Sequence, residues 1–238
     1  MLTLETLATD FPAGARIDPH AHNVHQIVHA ERGVMRVMSE AGAWVVPPGR
    51  VIWMPARTAH WIDCFTAVEM RTVYLDGDHP VLPGSCAVWS VSPLMRELLL
   101  RLVAGTRPDQ EPALLDLLLS EIETVDQMPL SLPIPEDRRL RRITEALQAD
   151  PGDTRDLTSW AREAGATPRT LIRLFRRETG MTFREWRRQL RLLAALERLA
   201  RGEAVTNVAL DLGYASPSAF IQAFRDVLGT TPARYFER

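Results

Sequence analysis

Hydrophobic and polar positions alternate over short runs in the first 90 or so residues. These runs are rich in β-branched and aromatic residues: VMRVM (34–38), AWVVP (43–47), RVIWMP (50–55), EMRTVYL (69–75) and CAVWSV (86–91). Glycine and proline separate them, as in Pro47-Pro48-Gly49. Regularly spaced short strands divided by turn residues are typical of a small barrel or sandwich. The pattern therefore predicts a β-barrel over residues 1–91.

From residue 92 onward the apolar residues recur at helical spacing. One stripe consists of Leu94, Leu98, Leu99 and Leu102, and the other of Leu114, Leu115, Leu118, Leu119, Ile122 and Val125. Residues three and four apart share one face of a helix. We predict a helical arm over 92–127, whose stripes either pack on the barrel or form a dimer seam. Three prolines in MPLSLPIPE (128–136) then favour an extended, semi-rigid linker.

Residues 137–238 are predicted to be helical, and 160–180 has the pattern of a helix, a tight turn and a second helix. Thr167 is a favoured N-cap, and Pro168 follows at the favoured first helical position. The apolar side of the second helix consists of Leu171, Leu174 and Phe175. Arg169 and Arg173, four residues apart, share another face. A short helix with an apolar back and an arginine front suits the major groove of DNA.

A second unit of the same kind follows. A short helix over 205–212 is closed by a glycine, and Ser216-Pro217 repeats the cap and proline of the first unit. The apolar-striped helix predicted between the units, 183–200, would span about 27 Å. Successive major grooves on one face of DNA lie about 34 Å apart. One chain is thus expected to place two recognition helices in neighbouring grooves; alternatively, the second motif is only core.

Charge is divided unevenly along the chain. Residues 1–133 contain nine Arg and 16 Asp or Glu, whereas 134–238 contain 19 Arg and 14 Asp or Glu. The whole chain carries a net charge of −2 and has no lysine. A basic C-terminal part suggests a polyanionic partner, and arginine binds phosphate and guanine in a bidentate manner.

Two features bear on location. The sequence has no 18-residue apolar run and no basic signal region at its start, so we expect no membrane association and no secretion. Its two cysteines, Cys64 and Cys86, are far apart. Widely separated cysteines in a chain of this size favour reduced thiols and a cytoplasmic protein.

The C-terminal motifs resemble the AraC/XylS family of bacterial transcription regulators. The matching segments are LTSWAREAGATPRTLIRLFRRETGMTFREWRRQLRLLAALERLARG and VTNVALDLGYASPSAFIQAFRDVLGTTPARYF, within 157–236. The resemblance implies that both turn motifs dock in the major groove of double-stranded DNA. By position it assigns base reading to Arg169, Ile172 and Arg173 in the first unit and to Pro217, Ser218 and Gln222 in the second. Thr170, Arg176, Arg177, Ser216 and Arg225 complete the expected DNA-binding set. Arg176, Arg177 and Arg225 either hold phosphates or pair with the protein's own carboxylates.

The N-terminal segments DPHAHNVHQIVHAERGVMRV and GAWVVPPGRVIWMPARTAHWID resemble a cupin-like sensor domain over about residues 18–63. Cupins often hold a metal through an HxH pair, a carboxylate and a distant histidine. His20, His22 and His60 match the histidines, and the first two are expected on one side of a strand. Gln26 stands where an acid is expected, and glutamine is a poor ligand for transition metals. Three alternatives remain: a divalent-metal sensor, a metal-free effector pocket lined by these four residues and Trp53, and histidines that only bond inside the barrel.

These patterns together predict an α+β chain of two domains: a cupin-like sensor and dimerisation domain over 1–127 (barrel 1–91, arm 92–127), a linker over 128–136, and an all-α DNA-binding domain over 137–238. We expect a sequence-specific transcription regulator that is not an enzyme. Its expected partners are promoter DNA, a second copy of the chain, a small-molecule effector and RNA polymerase. Two alternatives are a cupin metalloenzyme with a DNA-binding tail and a constitutive DNA-binding protein whose barrel only dimerises.

Overall fold

Short antiparallel strands occupy the first 90 residues of the computed structural model, which describes residues 3–124 and 127–236. The strands are β1 (Thr3–Phe11), β2 (Arg16–His20), β3 (His25–Arg32), β4 (Met35–Ser39), β5 (Gly42–Val46), β6 (Arg50–Met54), β7 (His60–Cys64), β8 (Val68–Asp76) and β9 (Ala87–Ser90). One sheet has the order β1-β8-β3-β6-β9, and another brings β5, β4, β7 and β2 together in that order. The predicted strand-rich N-terminal domain is confirmed.

Helices follow the strands. Two belong to the arm, α1 (Pro93–Val103) and α2 (Glu111–Thr124), and the short strand β10 (Ser131–Pro133) comes next. The remaining helices are α3 (Arg138–Ala149), α4 (Leu157–Glu163), α5 (Pro168–Thr179), α6 (Phe183–Ala200), α7 (Val205–Asp211), α8 (Pro217–Leu228) and α9 (Pro232–Phe236). The chain forms two units, one of residues 1–40 and 44–131 and the other of 41–43 and 132–238.

The first sheet has two differently covered faces. Ile27 of β3 and Trp53 of β6 lie opposite each other in the strand register and pack in the core beneath the arm helices. Gln26 precedes Ile27 and therefore points to the other face of the sheet, together with its cross-strand partner Tyr74. The Tyr74 ring on that second face lies 5.3 Å from the ring of His22, measured between centroids.

The arm helices cover the outer face of this sheet. Their buried residues are Met95, Leu98, Leu99 and Leu102 of α1 and Leu115, Leu118, Leu119 and Ile122 of α2. Leu94 does not pack on the sheet with the rest of its stripe, because its side chain is 49% exposed and Met95 occupies the buried position. Ser92 caps α1, which places Leu94 in the first turn on the solvent side. Val125 lies outside the described residues.

The segment predicted to be an extended spacer is largely packed. Met128 N–H donates to the Val88 carbonyl at 2.7 Å, and Val45 N–H donates to the Leu130 carbonyl at 3.1 Å. Leu130 and Leu132 are both buried. Within the helical unit, the Pro133 carbonyl accepts a hydrogen bond from Trp186 Nε1 at 3.0 Å. Residues 128–133 are therefore held by hydrogen bonds and apolar burial that their proline content did not predict.

The helical unit is organised around α6. A capping box of Thr182 and Glu185 begins this helix, and its buried side includes Trp186 and Leu196. The caps of α5 and α8 are those predicted from the sequence, and both helices end at glycines with positive φ. In the described parts of the chain, no helix is long and apolar enough to cross a membrane.

Candidate nucleic-acid interface and histidine cluster

The first recognition helix, α5, is fixed at both ends by local interactions. The Thr167 side chain accepts a hydrogen bond from Thr170 N–H at 3.2 Å, and Pro168 stands at the first helical turn. Gly180, at φ 70°, ends the helix in the left-handed conformation. The apolar residues Leu171, Leu174 and Phe175 are buried as predicted. One face of α5 is therefore anchored, and the opposite face is left for a ligand.

That opposite face carries two unengaged guanidinium groups. Arg169, Ile172 and Arg173 are all exposed, and Ile172 retains 52% of its accessible surface. No hydrogen bond or ion pair within the described residues engages Arg169 or Arg173. Two free arginines flanking an exposed apolar side chain can donate hydrogen bonds to guanine and contact a thymine methyl group.

The next arginines of α5 are paired with carboxylates. Arg177 Nη2 lies 2.6 Å from Glu178 Oε1, and Arg176 Nη1 lies 3.5 Å from Glu185 Oε2. Thr170 is half-buried, and its hydroxyl lies 2.9 Å from the Thr167 hydroxyl. Arg176 and Arg177 were expected either to hold phosphates or to pair with carboxylates of the protein. The structure shows the carboxylate contacts.

The second recognition helix, α8, repeats this construction with a different surface. The Ser216 side chain accepts a hydrogen bond from Ala219 N–H at 3.2 Å, so its hydroxyl serves as the cap. Pro217 is half-buried, whereas Ser218, Gln222 and Arg225 are exposed. Gln222 Nε2 already donates to Asp226 Oδ1 at 2.6 Å. The face of α8 is therefore less basic than that of α5.

The two turns share one backbone arrangement. In the first, Gly165 has φ 63° and Ala166 N–H donates to the Ala161 carbonyl at 2.9 Å. In the second, Gly213 has φ 73° and Tyr214 N–H donates to the carbonyl five residues before it at 3.0 Å. The second turn then contains one additional residue, Ala215, before its cap.

Arg191 of α6 joins the second turn to the loop before α4. Its guanidinium donates to the carbonyls of Pro151 at 3.0 Å, Asp153 at 3.0 Å and Gly213 at 3.3 Å. Burial lowers the pKa of Arg191, and the positive charge of Arg187 lowers it further. Sequence reasoning missed this residue, because nothing local distinguishes it from the other arginines of α6.

A cluster of three histidines lies in the sheet unit. One ligand atom from each of His20, His22 and His60 can be chosen so that all three lie within 4.8 Å of one another. His20 ends β2 and pairs in register with His60, the first residue of β7. His22 lies in the loop after β2, so the prediction that it shares a strand with His20 is wrong. The loop nevertheless brings its ring 4.9 Å from that of His20.

Hydrogen bonds orient two of these rings. His60 Nδ1 lies 2.8 Å from the Thr58 carbonyl, and His20 Nδ1 lies 2.7 Å from the Asp18 carbonyl. A carbonyl can only accept, so each Nδ1 carries a proton, and in the neutral imidazole Nε2 then presents a lone pair. His60 Nε2 is buried and has no hydrogen-bond partner in the described chain. Burial lowers the pKa of both His60 and His22, and the neighbouring histidines lower each further.

The remaining predicted pocket residues divide between the two faces of the first sheet. Gln26 is buried and lies opposite Tyr74, whose ring centroid is 5.3 Å from that of His22. Tyr74 was not predicted, because its pairing with β3 is not visible in the sequence. Trp53 was predicted to line one pocket with the histidine cluster, but it packs in the core beneath the arm helices. Its ring stacks on that of His25 at 4.9 Å, and its Nε1 donates to the Pro83 carbonyl at 2.7 Å.

Both cysteines are free thiols. Burial raises the pKa of Cys64 and of Cys86 to about 11. The thiolate is the reactive form of cysteine, and a pKa this high keeps both side chains protonated near neutral pH.

Two family models match the chain. Residues 4–122 match an AraC-like ligand binding domain, and residues 160–238 match a helix-turn-helix domain. The first match covers the sheet unit with its arm helices, and the second covers both helix-turn-helix units.

Curated relatives agree with these matches. The HTH-type transcriptional regulator NimR of Escherichia coli (strain K12) is 34% identical over 92% of this chain and 82% of its own length. RipA, an HTH-type transcriptional regulator of Corynebacterium glutamicum, is 34% identical over 46% of this chain and 33% of its own. A structure of ToxT from Vibrio cholerae covers 98% of both chains at 12% identity and a TM-score of 0.43.

Proposed function

Because the chain belongs to the AraC family of transcription regulators, we propose that it recognises promoter DNA through both helix-turn-helix units, under the control of an effector bound by its sheet unit. DNA binding and regulation of transcription are properties of this family, and the homologous NimR is itself named as a transcriptional regulator. The observation that carries the finer proposal is the exposed face of α5, where Arg169 and Arg173 are free of intramolecular partners.

The first unit supplies most of the sequence specificity. A guanidinium can donate two hydrogen bonds to O6 and N7 of one guanine, which is the commonest specific contact in the major groove. Arg169 and Arg173 lose no internal bond when they bind DNA. Ile172, between them and 52% exposed, can contact a thymine methyl group. The expected half-site therefore combines guanine with thymine.

The second unit contributes orientation more than base reading. The Ser216 hydroxyl is occupied as a cap, and Pro217 has no amide proton to donate. Gln222 must exchange its bond to Asp226 before it can contact adenine. Arg225 is exposed and suits a phosphate contact, which positions a protein on DNA without reading sequence.

The connecting helix sets the spacing of the two boxes. With 18 residues, α6 is about 27 Å long, close to the roughly 34 Å between successive major grooves on one face of DNA. Its buried stripe and its capping box make it a rigid connector. We therefore expect two short boxes separated by about one helical turn.

The sheet unit supplies dimerisation and sensing. We place the homodimer contact on the arm, because α2 leaves Leu117 50% exposed although its other face is packed on the sheet. The effector site is placed on the inner face of the first sheet, near the histidine cluster and Gln26. Contact with RNA polymerase follows from the regulatory role. The relatives are regulators, and no catalytic role is proposed.

Selection from a random DNA pool tests this proposal. Untagged full-length protein is mixed with random duplexes, and bound sequences are enriched and sequenced. We expect two boxes about one helical turn apart, with the stronger information content in one box. A double variant, Arg169→Ala with Arg173→Ala, should lose that stronger box. A variant pool enriched in the same motif as the wild-type pool would contradict the assignment of α5 as the main reading helix.

A further inference from the structure

We propose that His20, His22 and His60 form a three-histidine site for one divalent transition metal ion, with a coordination position left open to a small anion. The proposal rests on the sheet unit alone and names the ligand class of the effector site proposed above. Imidazole nitrogen is a ligand suited to zinc, copper, nickel and iron. Three histidines and an open position form a known type of zinc site.

The tautomers of two histidines are set for metal binding. In His20 and His60 the Nδ1 proton is committed to a backbone carbonyl, which leaves the Nε2 lone pair as the donor atom. Metal-binding histidines almost always donate their second N–H in this way, and the bond fixes the ring and raises its basicity. His60 is only 2% exposed, and its Nε2 has no partner in the described chain. A buried polar atom without a partner is costly, and a metal ion would satisfy it.

The loop between β6 and β7 holds the site together. Its Thr58 carbonyl orients His60, and its Arg57 N–H donates to the His22 carbonyl at 2.7 Å. Arg57 has φ 63°, a conformation that non-glycine residues rarely adopt. Ligand atoms within 4.8 Å of one another need only small ring rotations to reach the roughly 3.3 Å separation of a tetrahedral zinc site with bonds of about 2.0–2.1 Å.

The charge of the site predicts its fourth ligand. No carboxylate or thiolate within the described residues belongs to the cluster, and Gln26 on the neighbouring strand is uncharged. Three neutral imidazoles leave the full charge of a divalent ion uncompensated. An anion from solution would neutralise part of this charge, so a small carboxylate-like or thiolate-like effector suits the position.

Metal titration of full-length protein without a histidine tag tests the proposal. The protein is first stripped with a chelator, and zinc binding is measured by calorimetry and by competition with a coloured chelator. We expect one zinc ion per chain. Cobalt should give the intense visible bands of a four-coordinate ion, and added azide should shift them until the shift saturates.

Two variants identify the ligands. His60→Gln should weaken zinc binding by roughly 100-fold and abolish the cobalt bands. The control is His79→Gln, because His79 lies in the same unit but outside the cluster, and it should bind as the wild type does. Circular dichroism of both variants checks that the sheet unit is folded. Should His60→Gln not fold, His22→Gln is the replacement, since His22 lies in a loop.

Each outcome is decisive. Absence of zinc binding, or equal binding by wild type and the folded histidine variant, overturns the metal site. Cobalt bands that azide does not alter overturn the open position. In either case the selection of DNA sequences described above is unaffected, so a failed metal site and a failed assignment of DNA recognition are distinguished.

Discussion

Arg191 of α6 donates a hydrogen bond to the carbonyl of Gly213, the residue at the centre of the second turn. The same guanidinium donates to the carbonyls of Pro151 and Asp153. One side chain of α6 therefore joins that helix to the loop before α4 and to the second turn. A methyl group at Gly213 would lie 2.7 Å from this guanidinium. The position of the second turn therefore depends on a half-buried arginine and on a glycine that makes room for it.

Replacing Arg191 with Met should destabilise the helical unit by about 1–3 kcal/mol, because partly buried carbonyls lose their donors. Urea unfolding followed by circular dichroism measures this change. Arg184→Met is the matched control, since Arg184 is an exposed arginine of the same helix. Equal unfolding midpoints for the two variants would show that Arg191 contributes no more than a surface arginine.

Arg173→Ala should cost about 1–3 kcal/mol in binding to the selected site and relax the preference at one base position. Fluorescence anisotropy with the selected duplex and with scrambled DNA measures both effects. Arg177→Ala is the comparison, because that guanidinium is already paired with Glu178. A loss of equal size on specific and scrambled DNA would make Arg173 a phosphate contact instead.

Ile172 and Leu171 are neighbours with opposite environments, one 52% exposed and the other fully buried. Leu171→Ala should destabilise the protein by about 2–5 kcal/mol, whereas Ile172→Ala should change stability by no more than about 0.5 kcal/mol. Repeating the DNA selection with Ile172→Ala should remove a thymine preference. An unchanged motif would exclude a base contact by Ile172.

Trp53→Leu should destabilise the sheet unit by up to about 3 kcal/mol and leave zinc affinity unchanged, because Trp53 packs beneath the arm helices and is not part of the cluster of His20, His22 and His60. Chemical unfolding monitored by circular dichroism gives the first quantity, and zinc titration of the folded variant gives the second. Loss of zinc affinity in a folded variant would argue against the conclusion that Trp53 and the histidine cluster lie on opposite faces of the first sheet.

Asp137 provides a pH-dependent contribution to stability. The side-chain hydrogen bond from Arg139 lowers its pKa from 3.8 to about 2, and its carboxylate caps α3. A lowered pKa in the folded state stabilises the protein above the unfolded pKa, and this stabilisation is lost as the pH falls through the folded value. Wild type should therefore exceed Asp137→Asn in stability near neutral pH.

The difference between these two proteins is expected to shrink as the pH falls from about 6 to about 3. Urea unfolding at several pH values gives both free energies. Asn remains a good N-cap, so the comparison isolates the charge of Asp137 from its capping role. A difference that stays constant over this range would show that the pKa of Asp137 is not lowered by folding.

Local features of the fold were predictable from the sequence. The caps at Thr167 and Ser216, the prolines that follow them and the glycines that end α5 and α8 depend only on neighbouring residues. The apolar spacing of Leu171, Leu174 and Phe175 likewise identified the buried face of α5. The two-domain fold class and the family follow from such local patterns.

Features that depend on distant pairing were not predictable. Both faces of β6 are buried, so alternation alone could not show which face carries Trp53 toward the helices. Tyr74 reaches His22 through the pairing of β8 with β3, and the partners of Arg191 come from two separate segments, the loop before α4 and the second turn. The exposure of Leu94 has a different cause, because the start of α1 sets which residues of its first turn face solvent.

Successive side chains of β3 point to opposite faces of the first sheet. Ile27 belongs to the core beneath the arm helices, and Gln26, one residue earlier, lies opposite Tyr74, whose ring is 5.3 Å from that of His22. Adjacent residues of one strand thus lie on the side of the proposed effector site and on the side of the core beneath α1 and α2. A ligand that displaced the backbone of β3 by a few tenths of an ångström at Gln26 would also move Ile27 in the close-packed core beneath the arm helices. No chain of intermediate side chains would be needed.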